Sequence, residues 1–211
     1  MSFAPTLNIA VLGVGDRAAA YIAAIQTLHA EATVTIASGL RVILDAGVWS
    51  TDREDVVALA RRFNLGLFGV DPKLMIEAGD IHAVIACFAD AEQQAEALDR
   101  AIAAKKLVLA VPPLAPSERE SRRLVRRAVG HGLFTAIGEG DPDRVVRAFV
   151  RSLIERRAIL PTWQDWLDRT TPRPLTPREE IERALAALPP EAVEARDRLR
   201  RALAQLPEDA P

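Results

Sequence analysis

Short apolar runs alternate with amphipathic stretches through the first 140 residues. Runs near 7–12, 41–49, 66–68, 82–87, 107–111 and 133–137 have the continuous apolar character of strands covered on both faces. The segments between them, near 16–29, 52–63, 71–78, 90–104 and 117–130, carry helical spacing. The alternation specifies an α/β fold, a doubly wound and mostly parallel sheet flanked by helices. "SERE", Ser117 to Glu120, is a capping box: the serine hydroxyl and the glutamate three residues on satisfy free backbone N–H groups, so the fifth helix starts there. "ATVTIASGLRVILDAGVWS" is too long for one strand and "SGL" reads as a turn, which predicts an extra strand or hairpin around 31–40, ahead of the second parallel strand.

Beyond Gly140 the pattern turns helical. Val146, Phe149, Val150, Leu153 and Ile154 make one stripe that packs on the sheet, leaving Arg144, Arg147 and Arg151 outside. "PTWQDWLDRTTPRPL" reads as a proline-punctuated connector pinned to the domain by its two tryptophans. Thr176, Pro177 and Glu179 are the cap, first-turn proline and third-position acid of another helix, with Ile181, Leu185 and Leu188 on its buried side. Pro189 and Pro190 end it, and Val193, Leu199, Ala202, Leu203 and Leu206 carry a last helix, so the tail is a helical hairpin. Composition draws the same boundary. All 11 glycines lie between Gly13 and Gly140, whereas eight of the 14 prolines fall in the last 51 residues. The expected division is a dinucleotide-binding-type domain over 1–160 and a helical tail over 161–211.

Charge and composition narrow the function classes. A formal net charge of -2, with arginines interleaved among acids, supplies no basic face for nucleic acid or an anionic membrane. Cys87 is the single cysteine, so no intramolecular disulfide forms, and the three histidines at 29, 82 and 131 are too scattered to hold a metal. The start "MSFAPTLNIAVLG" has no basic leader, and no apolar run approaches the ~18 residues of a spanning helix. The expectation is a cytoplasmic protein without metal, membrane or nucleic-acid partner.

The main functional signal is "LNIAVLGVGDRAAAY". An apolar strand runs into Gly13, Gly15, Asp16, Arg17 and Ala18 and then into a helix. Glycines there let the backbone turn tightly and approach a pyrophosphate, and the helix start offers N–H donors at the positive end of its dipole. The other reading of the same residues is a structural turn that holds nothing. The second strand, where a ribose-binding acid is expected, ends instead in Trp49, Ser50, Thr51, Asp52 and Arg53. A hydroxyl with an arginine beside it accommodates a 2′-phosphate, which favours NADP over NAD. Alternatively Ser50 or Thr51 caps the next helix, with Asp52 and Glu54 in its first turn and Arg53 in solvent.

With these residues in view, the first ~160 residues resemble the nucleotide-binding half of the Gfo/Idh/MocA oxidoreductases, a Rossmann-type domain. Beyond the glycine turn, "DIHAVIAC" is similar to the family's fourth strand, and "AIAAKKLVLAVPPLAPSERES" to its next helix, strand and turn. "DRVVRAFVRSLIERRAIL" is similar to the helix leading out of that domain. The resemblance implies an NAD(P) site formed by the glycine turn, the loop after the second strand and the residues after the fourth strand, Phe88 and Ala89.

The chain departs from that family where chemistry is expected. The resemblance implies Glu-Lys-Pro at the end of the fifth strand, with the lysine positioning the nicotinamide and assisting proton transfer. Here Val111, Pro112 and Pro113 stand in its place, and proline has neither charge nor N–H. The family's Thr-Pro and downstream histidine correspond to Phe88-Ala89 and to the stretch from Glu92 to Gln94. The 51 residues after Leu160 read as helices rather than as the family's second, substrate-binding sheet domain.

Other residues offer little replacement. His82 reads as a core or sheet histidine, and His29 and His131 as helix-end partners. Cys87 reads as buried and inert. Asp90 has the best location, past the fourth strand, although "DAEQ" also reads as the cap of its own helix. Three functions therefore stay open. One is a nucleotide-binding regulatory or accessory protein that has lost dehydrogenase activity. The second is an NADP-dependent oxidoreductase with non-standard catalytic groups, drawn from the tail, a second subunit or the substrate. The third is an assembly module without nucleotide, pairing with a second copy or another protein through the helical tail.

Overall fold

The computed structural model describes residues 6–30, 43–155, 160, 162–170, 176–187 and 193–205. Among these, six strands form one parallel sheet: β1 (Thr6–Leu12), β2 (Ile43–Trp49), β3 (Leu67–Gly69), β4 (Ala83–Ala86), β5 (Leu107–Ala110) and β6 (Thr135–Ile137). They lie in the order β3-β2-β1-β4-β5-β6, the doubly wound arrangement expected from the alternation. The hairpin or strand expected around 31–40 lies outside the described residues.

Both sheet faces are covered, and the register shows how. In β1, Ile9 and Val11 point into one core while Ala10 and Leu12 point into the other, and all four are fully buried. The first core is shared with α1 (Gly15–Ala30), α2 (Arg53–Phe63) and α6 (Pro142–Glu155). The second is shared with α3 (Pro72–Met75), α4 (Ala91–Ala103), α5 (Glu118–Gly130) and α7 (Trp163–Thr170). The arginine-flanked stripe of α6 behaves as its spacing predicts. Val146, Phe149 and Val150 are buried with Val145, Leu153 and Ile154 pack at the edge, and Arg144, Arg147 and Arg151 are exposed. Each such buried side chain contributes roughly 1.5–3 kcal/mol.

One segment corrects the sequence reading. Residues 163–170, expected as a connector, form helix α7 within the first compact unit, which spans Met1–Thr170. Thr162 and Asp165 build a reciprocal cap: the Thr162 hydroxyl accepts from Asp165 N–H, and the Asp165 carboxylate accepts from the Thr162 N–H (3.1 Å) and hydroxyl (2.7 Å). These bonds hold the Asp165 carboxyl below its usual pKa. Trp163 is 1% exposed and donates its indole N–H to Ala136 O at 3.0 Å, while Trp166 donates to the Glu139 carboxylate. Both tryptophans therefore pin the segment to β6 and its following loop.

The second compact unit, Thr171–Pro211, contains α8 (Pro177–Ala187) and α9 (Val193–Gln205), which pack on each other as a helical hairpin. Ile181, Leu185, Leu199 and Leu203 are partly buried within it, while Leu188 and Leu206 lie outside the described residues.

Candidate functional site: the crevice beyond β1 and β4

The strand order reverses between β1 and β4, and a parallel sheet binds ligands outside the carboxyl ends of its strands at such a point. Gly13 follows β1 there with φ of +127°. A β-carbon on it would meet Cys87 C and Phe88 N at 3.2 Å, and its N–H donates to Trp49 O at 2.7 Å, so the turn is wedged between the ends of β2 and β4. Only glycine fits that place. Gly15 has φ of +78°, and nothing lies within 4 Å of where its β-carbon would be, so this side of the turn faces open space. Gly15 also opens α1. Among the described residues nothing accepts from the backbone N–H groups of Gly15, Asp16 and Arg17, the free donors of a helix start. Ala18, where the fingerprint usually has its third glycine, is fully buried against the first core. The turn fits a pyrophosphate: donors, positive dipole and room coincide.

The loop after β2 sorts its residues differently from the sequence reading. The cap of α2 is Asp52 rather than Ser50 or Thr51: its carboxylate accepts from Glu54 N–H and Asp55 N–H, both at 3.1 Å. A charged acceptor holding two orphan donors outcompetes a neutral hydroxyl. Ser50 is 2% exposed, and its hydroxyl accepts from Asp52 N–H at 3.3 Å. Thr51 and Arg53 are exposed, so of the residues expected to meet a 2′-phosphate these two face solvent and Ser50 does not.

The ends of β4 and β5 are occupied by the protein itself. Gln94, fully buried on α4, accepts from Phe88 N–H (2.9 Å) and donates to Ala86 O (3.0 Å) and Val111 O (2.9 Å). One amide thus ties the two strand ends together. From α1, Arg17 reaches across the crevice and donates to Phe88 O (3.3 Å) and Pro112 O (3.2 Å). The Pro112–Pro113 peptide is cis. Phe88 is buried edge-on to Trp49, with ring centroids 6.0 Å apart, while Ala89 is exposed.

Gln94 is the residue sequence reasoning missed. Its signal was an amide at helical spacing on an otherwise apolar face with Ala97, Leu98 and Ala101.

The titratable residues weighed for chemistry take up other tasks. Asp90 caps α4, its Oδ1 accepting from Glu92 N–H (3.0 Å) and Gln93 N–H (2.8 Å), and it is exposed. Cys87 is fully buried and donates to Leu12 O; burial pushes its thiol up to about 12 against the opposing charge of Arg17. It is inert, as expected.

Of the two places expected for His82, the sheet and the core, it takes the sheet: it directly precedes β4, is exposed, donates its backbone N–H to Asn8 O at 3.0 Å and accepts through Nδ1 from Asn8 N–H at 3.1 Å. The strand begins one residue later, which leaves the imidazole at the sheet's amino edge. His29 and His131 stand at the carboxyl ends of α1 and α5, both exposed. Helices that return to the start of the next parallel strand end at that same edge, so all three histidines lie opposite the crevice. Among the described residues no group of His, Cys, Asp or Glu could hold a metal ion, and no helix is long and apolar enough to cross a membrane.

No family profile matches the sequence and no curated protein does. Solved structures match the fold. Levoglucosan dehydrogenase, in complex with NADH and levoglucosan, is 20% identical with a TM-score of 0.53 over 62% of this chain and 34% of its own. A probable dehydrogenase from Thermotoga maritima is 18% identical at a TM-score of 0.51, covering 63% and 36%. An NAD-binding oxidoreductase from Klebsiella pneumoniae is 20% identical at 0.53, covering 63% and 34%. The likeness is one of fold, and this chain spans about a third of the length of these proteins.

Proposed function

We propose that this chain is an NAD(P)-binding protein related to the Gfo/Idh/MocA oxidoreductases, one that keeps the phosphate cradle and serves a regulatory or accessory role without dehydrogenase turnover. The observation that carries the reading is a juxtaposition. Gly13 turns the chain and α1 opens at Gly15, where the N–H groups of Gly15, Asp16 and Arg17 donate to nothing among the described residues, while β5, on the far side of β4, runs into Val111, Pro112 and Pro113, which carry no proton-transfer group. The pyrophosphate would rest on Gly13, Gly15, Asp16, Arg17 and Ala18. Phe88 and Ala89 would border it, and the adenosine ribose would lie by Ser50, Thr51 and Arg53. Thr51 and Arg53 favour a 2′-phosphate, hence NADP over NAD, because the Asp52 carboxylate is engaged in capping α2.

The test is titration calorimetry with NADP and NAD, combined with a search for cofactor-linked turnover on sugars, polyols and imines. Binding without turnover supports the reading. One observation favours a second reading, an oxidoreductase: Asp90 is exposed beyond β4 and uses only Oδ1 in its cap. Cofactor-linked turnover that Asp90→Ala abolishes would establish that function instead. Binding of neither cofactor would leave an assembly module. The α8–α9 hairpin is then the surface for a second copy or another protein, and light scattering on a chain ending at Thr170 reads its contribution.

A further inference from the structure

Resting on the nucleotide-binding reading, we propose that the crevice recognises the adenosine diphosphate portion of its ligand and is blind to the nicotinamide, so that oxidised, reduced and nicotinamide-free forms bind alike. A nicotinamide is held in place by its carboxamide, which offers one acceptor and two donors and needs partners of both kinds. The crevice outside the carboxyl ends of β1 and β4 is bordered on one side by the ends of β4 and β5, where such partners would have to stand. The structure already engages them within the chain, Ala86 O twice and Val111 O, Phe88 O and Pro112 O once each. Ala86 O accepts from Gln94 and from Val111 N–H, and Val111 O accepts from Gln94. Phe88 O and Pro112 O accept from Arg17, and Phe88 N–H donates to the buried Gln94 amide. Pro112 and Pro113 have no N–H to give.

A carboxamide entering here would shed water and gain little in return, so the ring end makes no net contribution to affinity. The phosphate turn, by contrast, offers the N–H groups of Gly15, Asp16 and Arg17, which donate to nothing among the described residues. Arg17 links the two regions, because it springs from the first turn of α1 and closes the gap between β4 and β5. A ligand read this way reports the amount of nucleotide present and carries no information about its redox state.

The experiment is calorimetric titration of the full chain with NADP+, NADPH and 2′-phospho-ADP-ribose, and with NAD+, NADH and ADP-ribose as the parallel series. The expected result is dissociation constants within about threefold of one another inside the series that binds. If the nicotinamide-free nucleotide binds more than about tenfold more weakly than the dinucleotides, or the oxidised and reduced forms differ by that much, the inference fails and the nucleotide-binding reading stands. Binding of none of the six removes both. Arg17→Ala frees Phe88 O and Pro112 O and is expected to tilt the ratio about threefold or more toward the dinucleotides. An unchanged ratio overturns the part given to Arg17.

Discussion

The two halves of the crevice are built from the same fold and have opposite hydrogen-bonding states. On the β1 side, glycines bring the backbone up to open space, and among the described residues nothing accepts from the N–H groups of the helix start. On the β4–β5 side, Gln94 and Arg17 engage the strand-end carbonyls, and Pro112 and Pro113 add no N–H donor. A topological switch point by itself only provides an opening; what can bind there depends on which polar groups the side chains leave free.

Substitutions can break this contrast. The largest effect is expected from Gln94→Leu, which leaves Phe88 N–H and Val111 O without their partner and Ala86 O with one bond instead of two at a fully buried position, a loss of about 3 kcal/mol or more. Chemical unfolding measures it, and a neutral result would mean that the β4–β5 seam is not locked by this amide.

Next come the glycines. Gly13→Ala sets a β-carbon 3.2 Å from the backbone of Cys87 and Phe88 at positive φ and is expected to cost about 2–3 kcal/mol of stability. Gly15→Ala meets open space and pays only the left-handed backbone cost, about 1 kcal/mol. Its added methyl projects toward the proposed phosphate, and nucleotide affinity should fall about tenfold. Equal losses of stability in the two variants would contradict the wedged geometry assigned to Gly13 alone.

Alkaline titration probes the junction between the halves. Burial raises the Cys87 thiol from the usual 9.0 to about 12, so the unfolded chain releases that proton first. Its stabilising contribution is complete below about 9 and is lost as pH rises toward about 12. Tyr21, raised by burial from 10.0 to about 12, acts in the same direction. Lys106, lowered by burial, acts oppositely by favouring the folded state as pH approaches 10.5. Cys87→Ala should therefore flatten the alkaline loss in unfolding curves, and an unchanged slope would place the thiol in water.

The smallest effect on stability is expected for Arg17→Ala. The guanidinium is exposed, so its two carbonyl bonds should be worth about 0.5 kcal/mol in thermal unfolding. A loss of several kcal/mol would make Arg17 a structural strut rather than a cover over the nicotinamide half.

The parallel strands, their helices and the glycine turn were readable because periodicity and backbone freedom are local properties. Gly13 had to be glycine for reasons visible in "GVG", and the α6 stripe followed from spacing alone. What sequence missed depended on partners distant along the chain. Helix α7 was masked by the prolines around it, although "TWQD" is the same kind of cap signal that "SERE" gave for α5. Ser50, Thr51 and Asp52 compete for one helix start, and only the three-dimensional turn shows that the carboxylate takes it. Arg17 and Gln94 reach Pro112 O and Val111 O, 95 and 17 residues away, so the closed half of the crevice was invisible from local pattern.

The most direct test of that closure is a crystal structure grown with NADPH. The account predicts ordered adenosine diphosphate over Gly13 to Ala18, Arg17 and Gln94 still bonded to the ends of β4 and β5, and no ordered nicotinamide. A nicotinamide ring seated against Pro112 and Pro113 with its carboxamide hydrogen-bonded to the strand ends would contradict it.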